Sequence, residues 1–99
     1  MEKNAIYLVL DVDIHNLEEY KKYIELGQPL VHKFGGEYIV RGGNIERSET
    51  ELWEPKRMVI IKFPDKECAF NWYNSEEYKS IKSLRTNNST STLLFIDGV

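Results

Sequence analysis

Ninety-nine residues make one domain with a single core, and a chain this short keeps so much of its surface wet that association would help it. Its apolar and charged fractions are those of an ordinary soluble globular protein. A net charge of -3 with no basic run excludes an electrostatic hold on nucleic acid or an anionic membrane. No apolar run approaches the roughly 20 residues that a bilayer span needs, and Met1 to Ala5 lacks the basic-then-apolar order of a signal peptide. The single cysteine, Cys68, cannot form an internal disulfide, so the expected location is the cytoplasm. Asn87 and Asn88 each begin a glycosylation pattern, which without a secretion signal reads as chance in a polar loop.

Ala5 to Val12 reads as the first strand. Ile6, Leu8, Leu10 and Val12 point one way and are wholly aliphatic; Tyr7, Val9 and Asp11 point the other. Asp13 to Asn16 is a turn, and Asn16 with Glu19 resembles a capping box that opens a helix. Leu17, Tyr20, Tyr23, Ile24, Leu30, Val31 and Phe34 fall on one helical stripe. Pro29 removes a helical hydrogen bond, so the helix is expected to kink or restart near residue 28, and Gly35-Gly36 should end it.

Glu37 to Arg41 is the second strand, with Tyr38 and Val40 on one face and Ile39 and Arg41 on the other. Asn44 to Glu54 is long for a hairpin loop, which usually needs about two to five residues. It is either a protruding arm or a functional or partner-binding loop. Met58 to Phe63 is the third strand, stopped by Pro64. Asp65 and Ser75 are N-caps of two short consecutive helices, the second running to about Arg85. Thr86 to Thr92 reads as an exposed loop and Leu93 to Ile96 as the last strand.

The order is β-α-β-β-α-β, a ferredoxin-like α+β arrangement with a four-stranded antiparallel sheet and helices on one face. Strand parity leaves the helix-free face too apolar for water, which predicts a homodimer with two sheets packed face to face.

The segments Tyr38–Gly43, Trp53–Arg57, Val59–Pro64 and Trp72–Tyr78, with Arg85 and the closing Asp97-Gly98-Val99, resemble the family called domain of unknown function 1330. The resemblance runs over nearly the whole chain, and Lys62 departs from it where an acidic residue is expected. It implies a dimeric α+β barrel whose broader relatives include small monooxygenases, lactone isomerases, haem-dependent enzymes and binding or regulatory proteins. Fold kinship does not choose among these.

No strong catalytic motif is present. Gly35-Gly36 and Gly42-Gly43 are turn glycines, not a phosphate loop, and His15 and His32 stand too far apart along one helix to share a metal. Cys68 lies in a first helical turn, where the dipole can lower a thiol pKa, but a small packing residue is the simpler reading. Arg41 and Arg57 flank the same hairpin edge; they either hold a carboxylate or enolate at a cavity rim or pair with Glu37 or Glu54. Tyr7 and Asp11 share a face and either orient a ligand or are a buried tyrosine and a strand-end acid. His15 either reaches a cavity mouth beside Asp11 or sits at the surface, and Trp72 either walls a ligand or fills the core. Arg85 either caps its helix or reaches back over the sheet.

The expected ligand-binding set is therefore Tyr7, Asp11, His15, Arg41, Arg57, Trp72 and Arg85, around a small organic molecule held between sheet and helices. No metal and no tightly bound cofactor is expected, and haem is disfavoured by the placement of the histidines. The alternative is a non-catalytic dimer that senses a metabolite or recognises a partner through residues 44–54.

Overall fold

A computed structural model describes residues 4–99; Met1, Glu2 and Lys3, part of the segment read for a signal peptide, lie outside the described residues. The elements run β1 (Ile6–Ile14), α1 (Leu17–Lys33), β2 (Glu37–Arg41), β3 (Met58–Phe63), α2 (Lys66–Tyr73), α3 (Glu76–Thr86) and β4 (Ser89–Asp97). The sheet order is β2-β3-β1-β4 and every pairing is antiparallel. This is the ferredoxin-like layout, with the second helical segment divided into α2 and α3. No helix among the described residues is long and apolar enough to cross a membrane.

Local chemistry sets the helix starts. The Asn16 carboxamide accepts from Glu19 N at 3.2 Å, the Asp65 carboxylate from Cys68 N at 2.8 Å, and the Ser75 hydroxyl from Tyr78 N at 3.1 Å. Gly35, at φ +86°, takes the chain out of α1 in the left-handed region that glycine tolerates.

Three readings of the sequence are corrected. Helix α1 runs unbroken through Pro29. The residues around the proline carry its inward face, with Gly27 and Val31 buried and Ile24 packed on the core, and that burial offsets the missing hydrogen bond. The Thr86–Thr92 stretch is not a loop throughout: Ser89 to Thr92 already belong to β4 and pair with Ile14 to Asp11. Their polar side chains suit a strand whose neighbours need hydrogen bonds, since Thr90 Oγ1 meets His15 Nε2 at 2.8 Å and Ser91 Oγ accepts from Arg85 at 2.6 Å.

The third correction concerns β2. Tyr38 pairs with Ile61 and Arg41 with Val59, but Val40 pairs with Ile60, so Ile39 is an extra residue in the ladder. A bulge of this kind resets the alternation. Arg41 therefore joins Tyr38 on the helix side instead of opposing it, and its guanidinium lies 5.1 Å from the Tyr38 ring centroid.

The core lies between helices and sheet. Ile6, Leu8, Leu10 and Val12 of β1 and Val59, Ile61 and Phe63 of β3 face Tyr20, Val31, Ala69, Trp72, Tyr78 and Ile81 of the helices. The segment between β2 and β3 forms no strand, and it folds back onto β1. Asp11 holds it there: its carboxylate accepts from Trp53 Nε1 at 3.0 Å, Lys56 N at 2.8 Å and Arg57 N at 3.3 Å.

Candidate functional site

A cavity of about 40 Å³ opens between α1 and the sheet, enough for a few waters or the head of a small organic molecule. Helix α1 contributes Tyr20, Tyr23, Ile24, Gly27 and Val31; the strands contribute aliphatic side chains together with Tyr38 and Arg41; Arg57 joins them from just before β3, and α2 contributes Trp72. The wall is aromatic and aliphatic except for two guanidinium groups.

The arginines are placed by the hairpin edge. Arg57 has the parity of Val59 and Ile61 and so points to the helix side. Its guanidinium lies across Gly42, where an added Cβ would stand 2.8 Å from Nε. Gly42 also has φ +70°, so backbone and space both require glycine next to Arg41. Among the described residues, no carboxylate lies within 4.0 Å of Arg41, Arg57 or Arg85. Glu54, one acid considered as a partner, pairs with Arg47 at 3.7 Å.

The hydroxyl of Tyr23, one of the cavity's lining residues, lies 2.9 Å from that of Tyr78, and buried Arg85 approaches the Tyr78 oxygen at 3.4 Å. Burial pushes the Tyr23 hydroxyl well above the ordinary tyrosine value, and the adjoining Tyr78 adds to it. Burial also raises Tyr20 and Tyr38, while Arg57 and Arg85 pull Tyr20 down and Arg41 pulls Tyr38 down. Each of these phenols is therefore a neutral hydrogen-bonding group at physiological pH. Trp72 is 2% exposed, its ring centroid lies 4.3 Å from that of Tyr78 in a tilted contact, and its Nε1–H has no hydrogen-bond partner among the described residues.

Of the seven residues expected at the site, the structure brings Arg41, Arg57 and Trp72 to one cavity and Arg85 to the layer behind it. Tyr7 and Asp11 stand on the opposite face of the sheet, Tyr7 against Gly98 and Asp11 against the 44–57 segment. His15 is exposed at the far end of β1, on Thr90. Asp11 still touches the site indirectly, because it fixes the backbone N–H of Arg57. Sequence reasoning missed Tyr20, Tyr23 and Tyr38 as cavity residues. The spacing of Tyr20 and Tyr23 on the apolar stripe of α1 was a usable signal; the Ile39 bulge that pairs Tyr38 with Arg41 had none.

The other face carries a second hollow, about 370 Å³, lined by Val9, Asp11, Trp53, Met58, Thr92, Leu94 and Ile96. It is an apolar groove open on the helix-free side. Among the described residues, no group of three or more His, Cys, Asp or Glu is placed to hold a metal ion.

A family model, domain of unknown function DUF1330, matches residues 5–99. The chain belongs to the DUF1330 family. No curated protein matches this DUF1330 chain. Among solved structures it is similar to a protein of unknown function from Rhodopseudomonas palustris, at 13% identity over 99% of this chain and 85% of that one, with a TM-score of 0.76. It is also similar to a dimeric ferredoxin-like protein of unknown function from Jannaschia sp. CCS1, at 10% identity over 95% and 99% of the two chains, with a TM-score of 0.72. A third similar structure is SnoaB, a cofactor-independent oxygenase from Streptomyces nogalater, at 12% identity over 97% and 94%, with a TM-score of 0.69. At these identities the likeness shows the fold alone.

Proposed function

We propose that this protein binds, and on that basis can transform, a small organic anion in the cavity between α1 and the sheet, without a tightly bound cofactor. The observation that carries the reading is the pair Arg41 and Arg57, two guanidiniums that line an otherwise apolar cavity with no carboxylate partner among the described residues. A charge held against a low-dielectric wall invites its counter-ion, and guanidinium geometry matches a carboxylate or enolate. The cofactor-independent oxygenase among the structural neighbours supports the idea that this fold can work on an organic substrate unaided.

The test is calorimetric titration of the full chain with butanoate and with neutral butanamide. Binding of the acid and not the amide is expected, with the acid's affinity reduced in Arg57→Ala. Equal binding of acid and amide, or no binding of the acid, overturns the reading.

A second element of the reading concerns assembly. Leu94 and Ile96 are about half exposed on the helix-free face beside Val9 and Met58, and the Jannaschia neighbour is dimeric. Pairing of two copies through this face would bury the groove. In that arrangement Trp53 and the 44–57 segment lie at the edge of the joint.

A further inference from the structure

Trp72 lines the cavity while almost fully buried, and its indole N–H is unpartnered among the described residues. An indole nitrogen can only donate. A buried donor left unmade costs about 1–3 kcal/mol, so this wall calls for an acceptor.

Tyr23 supplies a second donor, and the hydrogen-bond chain behind it fixes the direction. A guanidinium has no acceptor, so the Tyr78 oxygen must accept from Arg85 Nε. Tyr78 is 0% exposed, and Tyr23 oxygen is the one acceptor within reach of its hydroxyl among the described residues. The Tyr78 proton therefore goes to Tyr23. The reverse polarity would bury the Tyr78 proton against a cation with no acceptor. The Tyr23 proton then has no partner on the chain among the described residues, and Tyr23 lines the cavity. Arg85 acts through Tyr78, as a positioning residue. Its buried charge also favours oxygen over any cationic group in this region.

The cavity lining is thus rich in donors: two guanidiniums at the mouth, the unmet Trp72 indole N–H and the directed Tyr23 O–H, beside the Tyr20 and Tyr38 hydroxyls, which can donate or accept. We infer that its ligand is a small 2-oxo acid or closely related oxygen-rich carbonyl acid, with the carboxylate on Arg41 and Arg57 and the carbonyl oxygen on the inner donors Trp72 and Tyr23. The inference rests on the anion-binding reading and adds the substrate class. The matching 2-amino acid is rejected by charge, because its ammonium would stand among the Arg41, Arg57 and Arg85 guanidiniums.

The experiment is ligand-observed NMR titration of the full chain with 2-oxobutanoate, butanoate and 2-aminobutanoate. We expect 2-oxobutanoate to bind about tenfold tighter than butanoate, as one or two added hydrogen bonds provide, and 2-aminobutanoate not to bind. Tyr23→Phe and Trp72→Phe, which keep the ring volume or most of it, should each lower 2-oxobutanoate affinity by more than they lower butanoate affinity, so that the oxo-over-plain preference falls. The same ratio tests Arg85: Arg85→Lys, which keeps a donor to Tyr78, retains the preference and Arg85→Met loses it. Equal binding of 2-oxobutanoate and butanoate, or a preference that survives both ring variants, overturns the donor inference and leaves the anion reading standing. Failure of every acid to bind the wild-type protein overturns both.

Discussion

Ile6, Leu8, Leu10 and Val12 are at most 4% exposed beneath the helices, whereas Tyr7, Val9 and Asp11, their alternating neighbours on the same strand, stay partly exposed on the other face. The helix face is closed by the chain itself. Its cavity is narrow and walled by rings, so the buried indole N–H and phenols there act in a lower dielectric than water and count for more than they would in it. The helix-free face has the larger hollow, but the charged group lining it is committed: Asp11 spends both carboxylate oxygens on Trp53, Lys56 and Arg57. What remains there is Val9, Met58, Leu94 and Ile96, a surface suited to another surface. On the proposed reading one face takes a ligand and the other assembles, and the larger hollow is not the one lined by the two arginines.

Core truncation should separate the faces most sharply. Phe63→Ala, at a fully buried site, is expected to cost about 3–5 kcal/mol in urea unfolding. Ile96→Ala, at a half-exposed site on the other face, should stay within about 0.5 kcal/mol in dilute protein that is monomeric. Comparable losses would mean that the helix-free face is already packed within one chain.

Val9→Asp places a charge in the centre of the apolar groove. It should weaken self-association by roughly a hundredfold or more, seen by light scattering, with circular dichroism unchanged. A variant that stays dimeric and stable would place the joint elsewhere. On the opposite face, Arg57→Ala should lower carboxylate affinity by about ten- to a hundredfold, the effect of losing one charge-assisted hydrogen-bonding group. Arg41→Ala should do less, because Arg41 sits at the exposed rim.

The tyrosine cluster gives the helix face a pH signature. The Tyr23 hydroxyl titrates well above 10.0 in the folded chain because burial, then Tyr78, disfavour its anion. The native state then holds a proton that the unfolded state releases as pH rises past the ordinary tyrosine value. This contribution to stability is complete below that value and is lost as pH climbs toward the folded one. Denaturant unfolding should show stability falling on the alkaline side, and Tyr23→Phe should flatten part of that fall. Asp65→Ala should cost about 1 kcal/mol, from loss of the α2 cap.

Half of the candidate site was legible beforehand. Arg41 and Arg57 are cations at the ends of two apolar strand segments, and Trp72 falls on a helical stripe, so residue type and period pointed to them. Tyr7 and Asp11 have the same kind of signal, a polar group on an apolar strand, but parity sends them to the other face from the cavity. Period alone cannot say which face the helices will cover. The Tyr23, Tyr78 and Arg85 chain was hidden because its hydroxyls come from two helices separated by most of the sequence.

The sequence by itself determined the element order, the three N-caps, the glycine exit from α1 and the aliphatic inner face of β1. Each of these depends on neighbours a few residues away, where propensity, capping and alternation act directly. Only the tertiary structure decided that α1 continues through Pro29, that Ser89 to Thr92 form a strand, and that the bulge at Ile39 turns Arg41 toward the cavity. In those places the deciding partners, the core under α1, the end of β1 and the ladder of β3, lie far along the chain. Long-range packing and pairing outweighed the local preference there.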